Sequence, residues 1–344
     1  MRIRRPYPIA LAVVIVAAAV TVAVQLRRNA PPEPARLLPS ADAFVYANFG
    51  WIRKISNKPL SPVSHDPEYE QFIEQSGFDF ERDLDAVAFA VHYPANKPYS
   101  GEGELRFSEV LVGKFDGEKL AGYLKHVAQS VENYNSIDIY SIPLEERTFR
   151  VAILSVDSVA ASNHDDPGVI RGIVDRSRRL ASPFGGPAFL RRYYKQVQLA
   201  SPIWLVGRID PASPEFGGWS DFLSKPADVV ISASYNPLHL PLRTSVLHVR
   251  AEAWTASPED ARNLSNRLNT FLQMFHSAET SVGSPGGDAD LKTLFDSLQV
   301  RQDDSRAALY AVVPTAVFRK VLESPGPMGA PGAAAAPAQA GRSH

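Results

Sequence analysis

The sequence predicts an α+β fold of two related halves, each an antiparallel sheet with helices packed on one face. Three observations predict it. Strand-like runs come in adjacent pairs, 85–93 with 106–115 and 227–235 with 244–254. Each pair leads into a marked helix start, at Asp116 and at Ser257. The order of hairpin, capped helix, short strands and Pro-started helix then occurs twice, with Asp85 matching Ala227, Phe115 matching Trp254 and Pro167 matching Pro314. The halves are expected at 37–182 and 183–324.

Ahead of them, residues 9–24 hold no charge or strong polar group, and three arginines precede the run while Arg27 and Arg28 follow it soon after. Sixteen helical residues cover about 24 Å at ~1.5 Å each. Gln25, Leu26 and snorkelling arginines bring the segment close to a bilayer's apolar thickness. A transmembrane helix over 9–26 is therefore expected, as an uncleaved signal-anchor, with 1–28 comprising the cytoplasmic stub and the anchor. The larger number of arginines before the run favours a cytoplasmic N-terminus and a periplasmic body. A cleaved signal peptide ending near Thr21-Val22-Ala23 is the competing reading. Residues 29–36 (NAPPEPAR) read as a Pro-rich linker, and 325–344 as a disordered Pro/Ala/Gly tail.

The first half opens with an alternating strand at 43–49. A helix follows at 67–77, with Pro67 at its first turn and Gly77 at its end. After the hairpin of 85–93 and 106–115, Asp116 caps a helix whose apolar stripe is Leu120, Tyr123, Leu124 and Val127. The runs IDIYSIP, TFRVAILS and SVAASN read as short strands, and GVIRGIVDRSRRL as a helix. The second half has a strand at 202–209, a short helix at 216–223 and the hairpin of 227–235 and 244–254. A long helix over 257–275 is opened by Ser257, Pro258 and Asp260. A short helix at 291–298, strands at 298–304 and 306–313, and a helix started by Pro314 complete it.

Composition excludes several chemistries. With no cysteine there is no disulfide, thiolate metal site or cysteine nucleophile. The first 28 residues hold five arginines and no acid, so the rest carries 31 basic against 37 acidic residues. No basic, aromatic-studded surface of the kind that binds nucleic acid is predicted. No nucleophile elbow, HExxH helix, kinase set or dinucleotide fingerprint occurs. Gly113-Lys114 lacks the glycine spacing of a phosphate loop, and the matching segment of the second half, AWTASPEDARNL, has neither glycine nor lysine. The junction reads as a strand-to-helix joint.

His164-Asp165-Asp166 is the cluster that could supply an acid, a base or a hard-metal ligand. Adjacent side chains on one turn rarely converge, and Asx residues before a proline are ordinary helix-start chemistry. The expectation is therefore no catalytic, cofactor or metal residues, with His164 and Asp165 as the alternative catalytic pair of an envelope hydrolase. His92 and His248 fall within strands, where packing or surface exposure is expected. RSRR (176–179) and RRYYK (191–195) are expected to decorate helices between the halves.

LLPSADAFVYANF at 37–49, followed by GFDFERDLDAVAFAV at 77–91, resembles uncharacterised bacterial envelope proteins with a domain of unknown function. In these a leucine-proline-small-aspartate start leads into the first strand, and a glycine-apolar-aspartate segment into the second. The resemblance implies an extracytoplasmic location and a duplicated α+β body, and it brings no activity or catalytic residues to carry over. The expected function is non-catalytic binding or scaffolding, with the membrane and another envelope protein as partners and no nucleic acid.

Overall fold

The computed structural model describes residues 30–56, 67–93, 105–144, 147–178, 185–213, 222–235, 246–281 and 289–317. The expected anchor over 9–26 and the tail over 325–344 lie outside them, as does most of the helix expected at 216–223. No helix among the described residues is long and apolar enough to cross a membrane.

The first half contains α1 (Glu33–Leu37), β1 (Ala43–Asn48), α2 (Phe49–Ser56), α3 (Pro67–Ser76), α4 (Phe80–Asp83), β2 (Leu84–His92) and β3 (Arg106–Gly113). It continues with α5 (Gly117–Val127), β4 (Ser130–Tyr134), β5 (Ile137–Leu144), β6 (Arg147–Ile153), β7 (Ser158–Ser162) and α6 (Gly168–Arg178). The second contains α7 (Ala188–Tyr194), β8 (Ile203–Ile209), β9 (Ala227–Tyr235), β10 (Val246–Trp254), α8 (Pro258–Ser281), α9 (Ala289–Asp296), β11 (Gln299–Asp303) and β12 (Arg306–Pro314).

The local signals act as expected. Asp116 Oδ1 accepts from Lys119 N at 3.1 Å and caps α5. Ser257 Oγ accepts from Asp260 N at 3.2 Å and caps α8. The joint after β3 is closed by backbone: Gly113 N donates to Asp157 O and Lys114 N to Asp83 O. A Cβ on Gly113 would lie 2.4 Å from Asp83 O, so a side chain there would collide with main chain.

Three expectations are corrected. The two halves do not have separate sheets. Among the described residues, twelve strands form one antiparallel sheet, in the order β11-β12-β10-β9-β8-β1-β2-β3-β7-β6-β5-β4. The free edges of β1 and β8 pair with each other, Phe44 opposite Val206 and Tyr46 opposite Trp204, which removes two exposed edges at once. Nor do helices lie on one face only. Ala152 and Ala160 face the cluster holding Ile170, Ile173 and Val174 of α6. Their neighbours Val151, Val159 and Ala161 face Leu120 and Leu124 of α5. Strand alternation therefore puts α6 on one face and α5 on the other. Finally, residues 33–36 of the expected linker join Leu37 in a short helix, with Ala35 and Leu37 fully or nearly fully buried against the sheet.

We call the face carrying α1, α6 and α7 the first face. Its core runs unbroken across the β1–β8 pair, from Ile139 through Phe44 to Leu190, Trp204 and Val230. Ala86, Ala88 and Ala90 of β2 supply the small side chains over which α1 lies close. The second face carries α5 in the first half and α8 in the second, the latter packing through Leu264 on Ile209, Ala227 and Val229.

Candidate ligand cavity and the His164 cluster

The residues of the predicted cluster go to different partners. Asp166 Oδ1 accepts from Gly168 N at 2.7 Å and opens α6. Asp165 is exposed and pairs with Arg106 at 3.0 Å. His164 Nδ1 accepts from Asp166 N at 3.1 Å, and Arg150 holds the His164 carbonyl at 2.9 Å. Asp165 is thus engaged away from His164 by an arginine of β3.

What the sequence did not reveal is the neighbour of His164. The His92 ring, at the end of β2, lies with its centroid 5.0 Å from that of His164 and edge-on to it. Below them Ser108 Oγ is 3.4 Å from His92 Nε2 and 2.9 Å from Ser162 Oγ. Ser162 Oγ in turn donates to Phe107 O. A hydroxyl beside an imidazole invites comparison with a nucleophile and its base. Two features weigh against it. Ser108 is wholly buried. Burial, aided by the charge of His164, holds the His92 imidazole down at about 4, which makes it a weak base. Among the described residues no three His, Asp or Glu are grouped so as to hold a metal.

A cavity lies elsewhere, on the first face of the second half. Beyond Trp204 the first-face positions turn polar: Ser232 and Ser234 on β9, His248, Arg250 and Glu252 on β10, Tyr310 on β12. In this region the segment after α7 crosses the sheet. Gln198 Oε1 accepts from Ser234 Oγ at 3.0 Å, and the Gln196 carbonyl accepts from Arg250. Ala200 has φ of 59°, a left-handed conformation that costs a non-glycine residue about 1 kcal/mol. Its neighbour Leu199 is 62% exposed at the rim.

Between this segment and the floor made by Ser234, His248 and Val312 is a space of about 570 Å³. Those three stand in one row, directly opposite one another across β9, β10 and β12. Arg301 of β11 closes one side, its guanidinium 5.3 Å from the Tyr310 ring centre. Among the described residues no acid lines the space. Glu252 is buried behind it, held by Arg306 at 3.0 Å and Arg250 at 3.4 Å. A second depression of about 580 Å³ lies by Trp51, but its Arg53 is already committed to Leu84 O and Asp85.

Sequence reasoning placed His248 on a strand and gave no sign of the cavity. Its walls come from five stretches that only the sheet order assembles.

No family model matches the chain, and no curated protein matches it. Among solved structures it is similar to three crystal forms of TP0453. Form III has a TM-score of 0.46 at 10% identity, covering 85% of this chain and 98% of that one. Form IV has 0.43 at 9%, covering 86% and 98%. Form I has 0.43 at 9%, covering 85% and 97%. A likeness this distant carries neither a family nor a function.

Proposed function

We propose that this chain is a non-catalytic binding protein of the bacterial envelope, anchored in the cytoplasmic membrane by residues 9–26 with its body outside. The observation that carries the binding reading is the cavity beside His248: a concave site of about 570 Å³ with apolar walls and a few polar groups, the usual form of a small-ligand site. A second envelope protein is the expected partner. A hydrolase using His164 is the alternative, favoured by the closeness of His92 and Ser108.

A serine-directed fluorophosphonate separates the two. On the proposed reading the native protein takes no label, and the His164→Ala, Asp165→Ala double variant keeps its cellular function. Labelling at Ser108, or a folded, normally localised double variant without function, would establish the hydrolase. The anchor is tested by carbonate extraction of membranes and by protease added outside. A soluble mature form beginning near Val24 would replace the anchor with a signal peptide.

The related halves are part of the same proposal. Reading outward from the β1–β8 pair, β1-β2-β3-β7-β6 has the same connectivity as β8-β9-β10-β12-β11. A capped helix on the second face follows the third strand of each, and a short first-face helix precedes each first strand. An experimental structure in which the two hairpins and their helices superpose, Asp116 falling near Ser257, is the expected result. Hairpins that superpose without their helices would refute it.

A further inference from the structure

The geometry points to a specific ligand class for the cavity between Gln198–Ala200 and strands β9, β10 and β12: a small organic anion, a carboxylate or sulfonate, carried on an apolar or aromatic body. This rests on the reading of that cavity as a binding site.

The polar groups around the space are predominantly donors. His248 lies in the middle of the floor, and an imidazole offers an N–H in either protonation state. No hydrogen bond reaches its ring among the described residues. The Tyr310 hydroxyl has no protein partner there either. The Gln198 carbonyl oxygen is occupied by Ser234, which leaves its amide N–H groups to donate. Arg301 gives one N–H to Gln299 Oε1 at 3.2 Å and forms no ion pair among the described residues. Such a set is matched by a ligand that accepts hydrogen bonds and carries negative charge.

The charge balance agrees. Behind the space the buried Glu252 carboxylate is already shared by Arg250 and Arg306. Among the described residues, therefore, no carboxylate pairs with Arg301 at the mouth. An amine would meet the Arg301 cation and, among the described lining residues, no carboxylate to balance its charge. The body of the ligand is indicated by what remains of the lining. Leu199 at the rim and Val312 on the floor are aliphatic, and the Tyr310 ring, with the Arg301 guanidinium over it, adds aromatic surface to the lining. A sugar or another polyol would leave these surfaces unmatched.

The test uses the full chain in detergent, with 2-naphthoate and its uncharged counterpart 2-naphthamide, each followed by equilibrium dialysis. The expected result is that naphthoate binds more tightly by about tenfold, and less so as salt is raised. Arg301→Gln, an exposed position on an edge strand, should erase that preference by lowering naphthoate affinity about tenfold while leaving the amide unchanged. Leu199→Ala should weaken both probes alike, because it removes wall and no charge. Equal binding of the two probes, unaffected by Arg301→Gln, would overturn the anion assignment and leave the cavity as a neutral-ligand site. Binding of neither, or binding insensitive to both substitutions, would overturn the assignment together with the binding function proposed for this cavity.

Discussion

His92 and His164 meet edge-on with ring centroids 5.0 Å apart, above the buried hydroxyls of Ser108 and Ser162. Burial first, and the neighbouring imidazole second, hold His92 down at about 4, with Asp42 acting weakly in the other direction. The folded protein thus favours the neutral ring. Stability from this site is complete above about pH 6.5 and is lost as pH falls towards 4, because the unfolded chain takes up the proton first. Allowing for solvent at the half-buried ring, the loss is about 2 kcal/mol. Urea midpoints at pH 7.5 and 5 for the native chain and His92→Gln check it. Equal slopes in the two proteins would show that His92 is not the responsible group.

Glu109 on β3 is the mirror case. It projects from the second face opposite Phe89 of β2 and Ala161 of β7, with no hydrogen bond or ion pair to its carboxyl among the described residues. Burial raises it to about 7. Here the folded state favours the protonated acid, so stability is full below about pH 4.5 and declines as pH rises through 7. Glu109→Gln is expected to leave stability at pH 4.5 almost unchanged and to raise it by about 2 kcal/mol at pH 8. No gain at pH 8 would mean that the carboxylate has a compensating partner.

Gly113 and Gly117 flank one joint and should respond in opposite ways. A Cβ at Gly113 meets the Asp83 carbonyl at 2.4 Å, whereas one at Gly117 meets nothing within 4 Å. Gly113→Ala is expected to cost about 2 kcal/mol, since main chain must move. Gly117→Ala, in the first turn of α5, is expected to stabilise by up to about 1 kcal/mol. Thermal melts of the two variants decide the point. A harmless Gly113→Ala would remove the steric account of the joint.

Glu252 is nearly fully buried, between Arg250 and Arg306. Removing it leaves two guanidinium groups facing each other with their shared counter-charge gone. Glu252→Ala is expected to destabilise by about 3 kcal/mol, read as a lowered urea midpoint with the slope unchanged. A loss below about 1 kcal/mol would show that water reaches the pair and screens it.

The sequence by itself determined the local elements. Asp116 and Ser257 cap helices whichever sheet lies beneath them, because a cap bonds to backbone three residues away. The paired strands 84–92 with 106–113 and 227–235 with 246–254 were legible from alternation and proximity along the chain. Where local signals were weak, elements escaped. β4 is exposed along nearly all its length and joins β5 through Asn135-Ser136, both at positive φ, without the glycine that usually marks such a turn. Only the tertiary structure decided that β1 pairs with β8, since two free edges carry no sequence mark of which edge they will join. That pairing turns two expected sheets into one, and strand alternation then sends α5 and α6 to opposite faces. It also made the sites. His92 reaches His164 through the β2-β3-β7 neighbourhood, and Gln198, His248 and Arg301 surround one cavity because the segment after α7 crosses strands brought together from distant parts of the chain. Caps and hairpins are short-range bonds that a window of residues contains, whereas a cavity is a property of surfaces that become neighbours only when the sheet is assembled.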